Sequence, residues 1–360
     1  MTSVHPLDRL RVGMRAVVRH RLDDGLSDAL GEVVALDDSS VSVATRRGVR
    51  VVPRGAVVAA KEVPPAPSRR GAAHLAPSMG DLQRVMVEGW PPIERAALGD
   101  WMLRAAGGFT GRANSVLPLG DPGLPLTEAV LAAERWYAER QLRPLFSLYG
   151  PEGFTVGDDA LGTLLTGRGY TDVNRSVVMT ASVQALESAA LAATRTTGPP
   201  AVGAAEVTVH AEASPSPAWW AASDERRRRH RDTAEAIMAG CPDQVFLSLA
   251  LGGRVVATAR VAFARAWAGV FGVYVAPDSR RLGLATALMG AAAAHARARG
   301  IASTYLQVEA TNEAARGLYR RLGCATHHEY VYLAAPEAGQ PERRPVSRCS
   351  ARRPRGCSAC

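Results

Sequence analysis

The chain has 360 residues, of which 47% are hydrophobic and 21% charged, a globular composition that excludes a disordered polymer and is too long for one ordinary core. Net charge is +9, but residues 337–360 alone carry six arginines against two glutamates, so the remainder is mildly basic and nucleic acid is left open as a partner without being implied. No signal peptide opens the chain and no uncharged apolar run reaches membrane-spanning length, so a cytoplasmic protein with no membrane partner is expected.

Residues 1–67 read as short strands: Arg15–Leu22, Ala29–Leu36, Val41–Thr45 and Val49–Pro53. Turn signals at Asp23-Asp24-Gly25, Asp37-Asp38-Ser39-Ser40 and Arg46-Arg47-Gly48 separate them. This spacing resembles a small β-barrel of the Tudor or Src-homology type. Pro64-Pro-Ala-Pro67 forms a stiff boundary after it.

Residues 75–183 follow with a helix at Glu128–Arg140, a strand at Arg143–Tyr149, a helix from Ala160 capped at Gly169, and a strand at Arg175–Thr180. The same order recurs over residues 286–335, with Gly169 falling where Gly323 falls, so the chain carries an internal repeat. The run Gly107–Ser115 reads as a bulged hairpin, with lining of a groove shared with Trp101 as the alternative. Residues 184–206, rich in Ala, Thr, Gly and Pro, read as a linker.

The second copy spans 207–336. Its opening helices cover Ser214–Ala239, with Trp219 and Trp220 in the core. Asp224 and Glu225 precede Arg226–Arg229 at helical spacing, which predicts a solvated, ion-paired face, with an anion site as the alternative. Val245–Phe263 is a hairpin about Gly252-Gly253. A β-branched and aromatic run, Val270–Val275, stops at Pro277, and an Ala/Leu-rich helix begins after Gly283 and runs to Gly300. Gly283 and Ala285 put almost no side chain over the first turn, so unpaired N–H groups at the positive end of the helix dipole stay open to a pyrophosphate, with Arg280 and Arg281 adding charge. A strand at Ser303–Glu309 precedes a short helix over Asn312–Gly323, on which Asn312 and Tyr319 share one side. His327 and His328, adjacent on a predicted strand, are expected on opposite faces. From residue 337 the tail has no periodicity, and its Cys349, Cys357 and Cys360 lack a fourth ligand nearby, so neither a metal site nor a disulfide framework is indicated.

Arg-Arg-x-Gly-x-Ala between a strand and a helix, then Asn-x-x-Ala-x-x-x-Tyr-x-x-x-Gly after the next strand, resembles the GNAT superfamily of acyl-CoA-dependent N-acetyltransferases. The resemblance implies an α/β mixed-sheet fold, with two GNAT-like domains in tandem after the small all-β barrel. It implies acetyl-CoA as cofactor and a small-molecule or peptide amine as acceptor. Backbone groups of Val273 and Val275 would meet the pantetheine arm, the loop Arg280, Arg281, Leu282, Gly283, Leu284 and Ala285 the pyrophosphate, and Asn312 the cofactor, with an N-cap as its other reading. Tyr319 matches the family's proton donor to the leaving thiolate. Related ribosomal-protein acetyltransferases carry a glutamate where this chain has Gln307, which cannot take a proton; Glu309, on the same strand face, is the candidate base, with a cap of the next helix as its other reading. In the first copy the loop reads Asp121-Pro-Gly-Leu-Pro-Leu-Thr127 and Leu165 stands for Tyr319, so that copy is expected to be degenerate. Tandem copies also resemble mycothiol synthase, from which the barrel departs. The alternative class is an acyl-CoA-binding scaffold whose barrel engages a partner. Acceptor identity and oligomeric state are not legible in the sequence.

Overall fold

A computed structural model describes residues 5–10, 15–22, 25–45, 48–63, 72–197 and 207–337. The prolines 64–67, the stretch 198–206 and the Cys/Arg-rich tail from 338 lie outside the described residues. The chain divides into two compact units, Met1–Gly71 and Ala72–Cys360.

The first unit contains β1 (Arg15–Leu22), β2 (Gly25–Leu36), β3 (Ser40–Thr45), β4 (Gly48–Pro53) and β5 (Val57–Glu62). They form a curled antiparallel five-stranded sheet in the order β4-β3-β2-β1-β5. Period-two alternation sends Ala16 and Val18, Val41 and Val43, and Val52 into one small core with Leu7 and Leu10. No β4–β5 ladder closes the sheet among the described residues.

The second unit begins with α1 (Met79–Gly89), β6 (Glu94–Leu98), β7 (Trp101–Ala105), β8 (Leu117–Pro118), α2 (Leu126–Ala138), β9 (Leu145–Gly150), α3 (Ala160–Gly167), β10 (Thr171–Ser182) and α4 (Val183–Thr197). It continues with β11 (Val207–Glu212), α5 (Pro217–Ala221), α6 (Glu225–Arg229), α7 (Arg231–Ala239), β12 (Gln244–Leu251), β13 (Arg254–Ala264), β14 (Trp267–Val275), α8 (Leu284–Ala298), β15 (Ser303–Glu309), α9 (Glu313–Arg321) and β16 (Ala325–Ala334).

The two copies share one eight-stranded sheet in the order β11-β12-β13-β14-β15-β10-β16-β9. Thus β10 pairs antiparallel with β15 from Ser176↔Glu309 to Ser182↔Ser303, and β16 pairs with β9 from Glu329↔Gly150 to Ala334↔Leu145. Each copy therefore lends its last strand to the other, and 75–183 and 207–336 are interleaved rather than successive units. The three-stranded sheet β6-β7-β8 meets β9 through a parallel bridge between Val116 and Phe146.

The repeat extends to cap geometry. Gly169 and Gly323 both adopt left-handed backbone, φ +84° and +85°, the amide of Tyr170 reaches the Leu165 carbonyl at 3.0 Å, and that of Cys324 reaches the Tyr319 carbonyl at 2.9 Å. Leu165 is thus the positional equivalent of Tyr319.

The expected linker is corrected over its first part. Val183, Leu186 and Ala190 make a stripe at helical spacing that α4 buries in the main core. Small side chains permit close approach to α8: a Cβ on Gly290 would stand 3.1 Å from that of Ala190. Trp219 and Trp220 are buried as expected, and the hairpin turns on Gly252 and Gly253, φ +54° and +83°.

The opposite-face reading of His327 and His328 is also corrected. A register shift opposite Val178/Met179 puts a bulge into β16 at His327. The two Nδ1 atoms consequently lie 2.8 Å apart. His327 Nε2 donates to the Pro77 carbonyl at 3.1 Å, so its Nδ1 accepts from His328, whose Nε2 in turn accepts from the Gln83 amide at 3.0 Å.

Candidate active site

The parallel ladder between β14 and β15 ends at Val270↔Leu306, although β14 continues to Val275 and β15 to Glu309. Beyond that pair the strands diverge, which leaves their edge amides and carbonyls free for a ligand. Divergence coincides with a bulge in β14: Arg260 faces Phe271 and Thr258 faces Tyr274, so Gly272 and Val273 oppose Ala259 alone. Gly272 has φ +56°, and a Cβ there would lie 2.0 Å from Nη2 of Arg227. The bulge therefore requires glycine for its torsion and for the guanidinium beside it.

After β14 the chain passes Pro277 into a turn anchored by Asp278, which pairs with Arg254 at 2.8 Å. The Ser279 hydroxyl and then Arg254 hold the Asp278 carboxyl below its usual range. Arg281 and Gly283 both take left-handed backbone, φ +67° and +77°, a geometry that curls successive N–H groups toward a common point. Gly283 is the N-cap of α8 without a side-chain cap, and the first intrahelical bond there runs from Ala287 N to Gly283 O at 3.0 Å. The amides of Leu284, Ala285 and Thr286 have no carbonyl one turn back to meet. A Cβ on Gly283 would meet nothing within 4 Å, so this N-terminus opens onto space.

That space is a cleft of about 590 Å³. Val273 and Val275 line it from β14, Arg280, Arg281, Gly283, Leu284 and Ala285 from the loop and first helical turn, and Asn312 and Tyr319 from the α9 side. Leu282 is not among the lining residues and packs against the core instead. Asn312 is the N-cap of α9, its Oδ1 accepting from Ala315 N at 3.1 Å, which leaves its NH2 for a ligand.

A second cavity of about 300 Å³ adjoins the first, and Val273, Asn312, Ala315 and Tyr319 border both. Glu309 and Gln307 line it from β15, and the Tyr330 hydroxyl donates to Gln307 Oε1 at 2.8 Å. Tyr319 is 7% exposed, and burial, reinforced by neighbouring Cys324, pushes its phenol up to about 12. A tyrosine kept neutral thus borders both a cleft edged with amides and a cavity lined by Glu309.

Three arginines, Arg112, Arg226 and Arg227, line the second cavity; the anion-site alternative for 226–229 touched two of them, and sequence reasoning missed Arg112. The solvated-face reading of 226–229 fails at Arg227, whose guanidinium turns inward over the Trp219 ring at 5.5 Å, while Glu225 and Arg229 do form the expected exposed pair at 3.7 Å. Two acids followed by four arginines could have signalled it, because two carboxylates cannot partner four cations. Of the groove-lining alternative for 107–115, Thr110, Gly111 and Arg112 do border the cavity. Trp101 instead lies buried in the first copy's core.

A mixed sheet that diverges beside an uncapped helix N-terminus defines the GNAT class of acetyltransferase fold. The chain belongs to the family described as "Probable histone acetyltransferase Rv0428c C-terminal", which matches residues 78–333. It is 34% identical over 139 residues to the "Probable histone acetyltransferase Rv0428c" of Mycobacterium tuberculosis, a stretch covering 37% of this chain and only 43% of that relative. It is 26% identical over 260 residues to the "Uncharacterized N-acetyltransferase YobR" of Bacillus subtilis, covering 70% of this chain and 96% of that one. Among solved structures, a GCN5-related N-acetyltransferase from Kribbella flavida superposes with a TM-score of 0.50 at 19% identity, over 72% of this chain and 98% of that chain; this similarity concerns the fold. No helix among the described residues is long and apolar enough to cross a membrane.

Proposed function

We propose that the protein is an acetyl-CoA-dependent N-acetyltransferase that moves an acetyl group to a primary amine, on a small molecule or a protein, by direct attack in a ternary complex. The observation that carries this reading is the continuity of two cavities at Tyr319, one edged by unpaired helix amides and the other by Glu309.

The residues present fit the cofactor. Left-handed backbone at Arg281 and Gly283, together with open space over Gly283, suits a pyrophosphate held by the first-turn amides and by Arg280 and Arg281. Backbone groups of Val273 and Val275 suit the pantetheine arm, and the Asn312 amide is a further donor. When bound, acetyl-CoA supplies an acetyl group activated as a thioester.

An alkylammonium acceptor with a pKa of about 10.4 must first lose a proton, at a cost of roughly 4–5 kcal/mol at pH 7. Glu309 takes that proton, directly or through water. Tyr319, kept neutral by burial, holds a proton at Oη for the departing sulfur. Gln307 acts on orientation through Tyr330 and moves no proton. The first copy is read as a scaffold: its helix α2 has Pro125 at the N-cap, Asp121 accepts from the Gly123 amide at 2.8 Å, and Leu165 replaces the phenol.

Calorimetric titration with acetyl-CoA, followed by an amine and peptide screen that detects released thiol, tests the reading. Absence of any heat on titration removes it.

A further inference from the structure

The cavity beyond Tyr319 carries an imbalance of charge that acyl transfer alone does not require. Three guanidinium groups line it, Arg112, Arg226 and Arg227, with Glu309 as the lining carboxylate. Each is held over an aromatic face: Arg112 over Trp90 at 5.3 Å and Phe271 at 5.6 Å, Arg226 over Phe109 at 6.0 Å, and Arg227 over Trp219 at 5.5 Å. A cation–ring contact favours a guanidinium near the ring without using up its N–H donors.

Only one of the three has a carboxylate partner among the described residues: Arg227 stands 3.3 Å from Asp224. That contact is made by Nη1 of Arg227, which is buried and forms no hydrogen bond. Burial, and then the like charge of Arg112 after the opposing pull of Asp224, bear on the Arg227 guanidinium and lower its pKa. Arg227 thus keeps a buried donor without a hydrogen bond, Arg112 and the exposed Arg226 stand beside it with no carboxylate partner among the described residues, and a ligand oxyanion could accept from all three. A lysine-rich peptide would instead add positive charge to this cavity.

We propose that the acceptor is an amine carrying an oxyanion, carboxylate or phosphate, within the same molecule, the oxyanion received by Arg112, Arg226 and Arg227 and the amine directed to the Tyr319 end. This rests on the acetyltransferase reading above. In the reaction the C–S bond of the thioester breaks, a C–N bond forms, one proton leaves the nitrogen to the base and one passes to the sulfur, giving an amide and a free thiol.

The full chain with acetyl-CoA is assayed for thiol release on matched pairs: β-alanine against its amide, 2-aminoethyl phosphate against ethanolamine, and a lysine-rich peptide by itself. The anionic member of at least one pair is expected to exceed its neutral partner in kcat/KM by about tenfold or more, and the pair that does so identifies carboxylate or phosphate. Arg226→Glu, an exposed position, should raise KM for that acceptor roughly 10–100-fold. It should leave the acetyl-CoA Kd from calorimetry unchanged, a split that mere loss of structure would not produce. Equal or better turnover of the neutral amines or of the lysine-rich peptide, with acetyl-CoA still bound, overturns the oxyanion proposal and leaves the acetyltransferase reading standing. So does acetyl-CoA binding with neither heat nor turnover for either anionic amine. No acetyl-CoA binding at all overturns both.

Discussion

Tyr319, the proposed proton donor, is buried and borders both cavities. Removing only its phenol oxygen, in Tyr319→Phe, should lower kcat on the order of 10²-fold, with acetyl-CoA affinity by calorimetry little changed. Burial raises the phenol to about 12, so the neutral, donating form persists as pH rises. A pH profile of kcat should therefore climb as the acceptor amine deprotonates and show no fall from loss of the Tyr319 proton until above about pH 11. His328 supplies the opposite case. Burial first, and His327 second, lower its pKa from 6.5 to about 3, so protonation favours the unfolded chain. Its contribution to stability is complete above about pH 6.5 and is lost as pH falls toward 3. Urea unfolding should show a decline of a few kcal/mol across that window, and His328→Gln should flatten it.

Two glycines show how the same torsion serves different ends in neighbouring elements. Gly283 and Gly272 both have positive φ, but a methyl on the first enters open space and on the second meets Arg227. Gly283→Ala should cost about 1–2 kcal/mol of folding free energy and weaken acetyl-CoA binding by about tenfold, because the methyl covers the α8 amides. Gly272→Ala should cost more in urea unfolding, since the β14 bulge and the Arg227 guanidinium must both move. The contrast also explains what could be read beforehand. Strand, loop and helix from Val270 to Gly300 were legible because period-two and helical patterns are local, and Pro277 and Gly283 punctuate them. The Gly272 bulge was not, because a bulge is defined by the register of a partner strand. The inward turn of Arg227 was not legible for a similar reason: its neighbours Asp224 and Glu225 satisfy a local ion-pair rule, which favoured the solvated face over the anion site, whereas the turn depends on Trp219 and on a glycine 45 positions further along the chain. In α4, an alanine-rich composition resembled a linker until Leu186 and Ala190 found α8 as a partner.

Across the whole molecule, the repeat of elements was legible but their exchange was not, since nothing in the periodicity of β10 or β16 says which edge each will join. The exchange makes a sharp forecast. A fragment covering 207–337 lacks β10, leaving β15 and β16 with open edges, and should be insoluble or lack a cooperative urea transition. Adding the fragment 72–197 should restore both solubility and acetyl-CoA binding. The chain from 72 onward, without the separate amino-terminal unit, should keep its affinity for acetyl-CoA within about twofold, because the cleft is built entirely from the second unit.

Interleaved strands also set a clock on synthesis. β10 leaves the ribosome well before β15, its partner from Ser176↔Glu309 to Ser182↔Ser303. At about 5–20 residues per second the wait is roughly ten seconds, far longer than hairpin closure. Throughout that delay a hydrophobic strand, Val177-Val-Met179 at its centre, stays without its neighbours, so chaperone occupancy during translation should centre on the nascent first copy and end when β16 emerges.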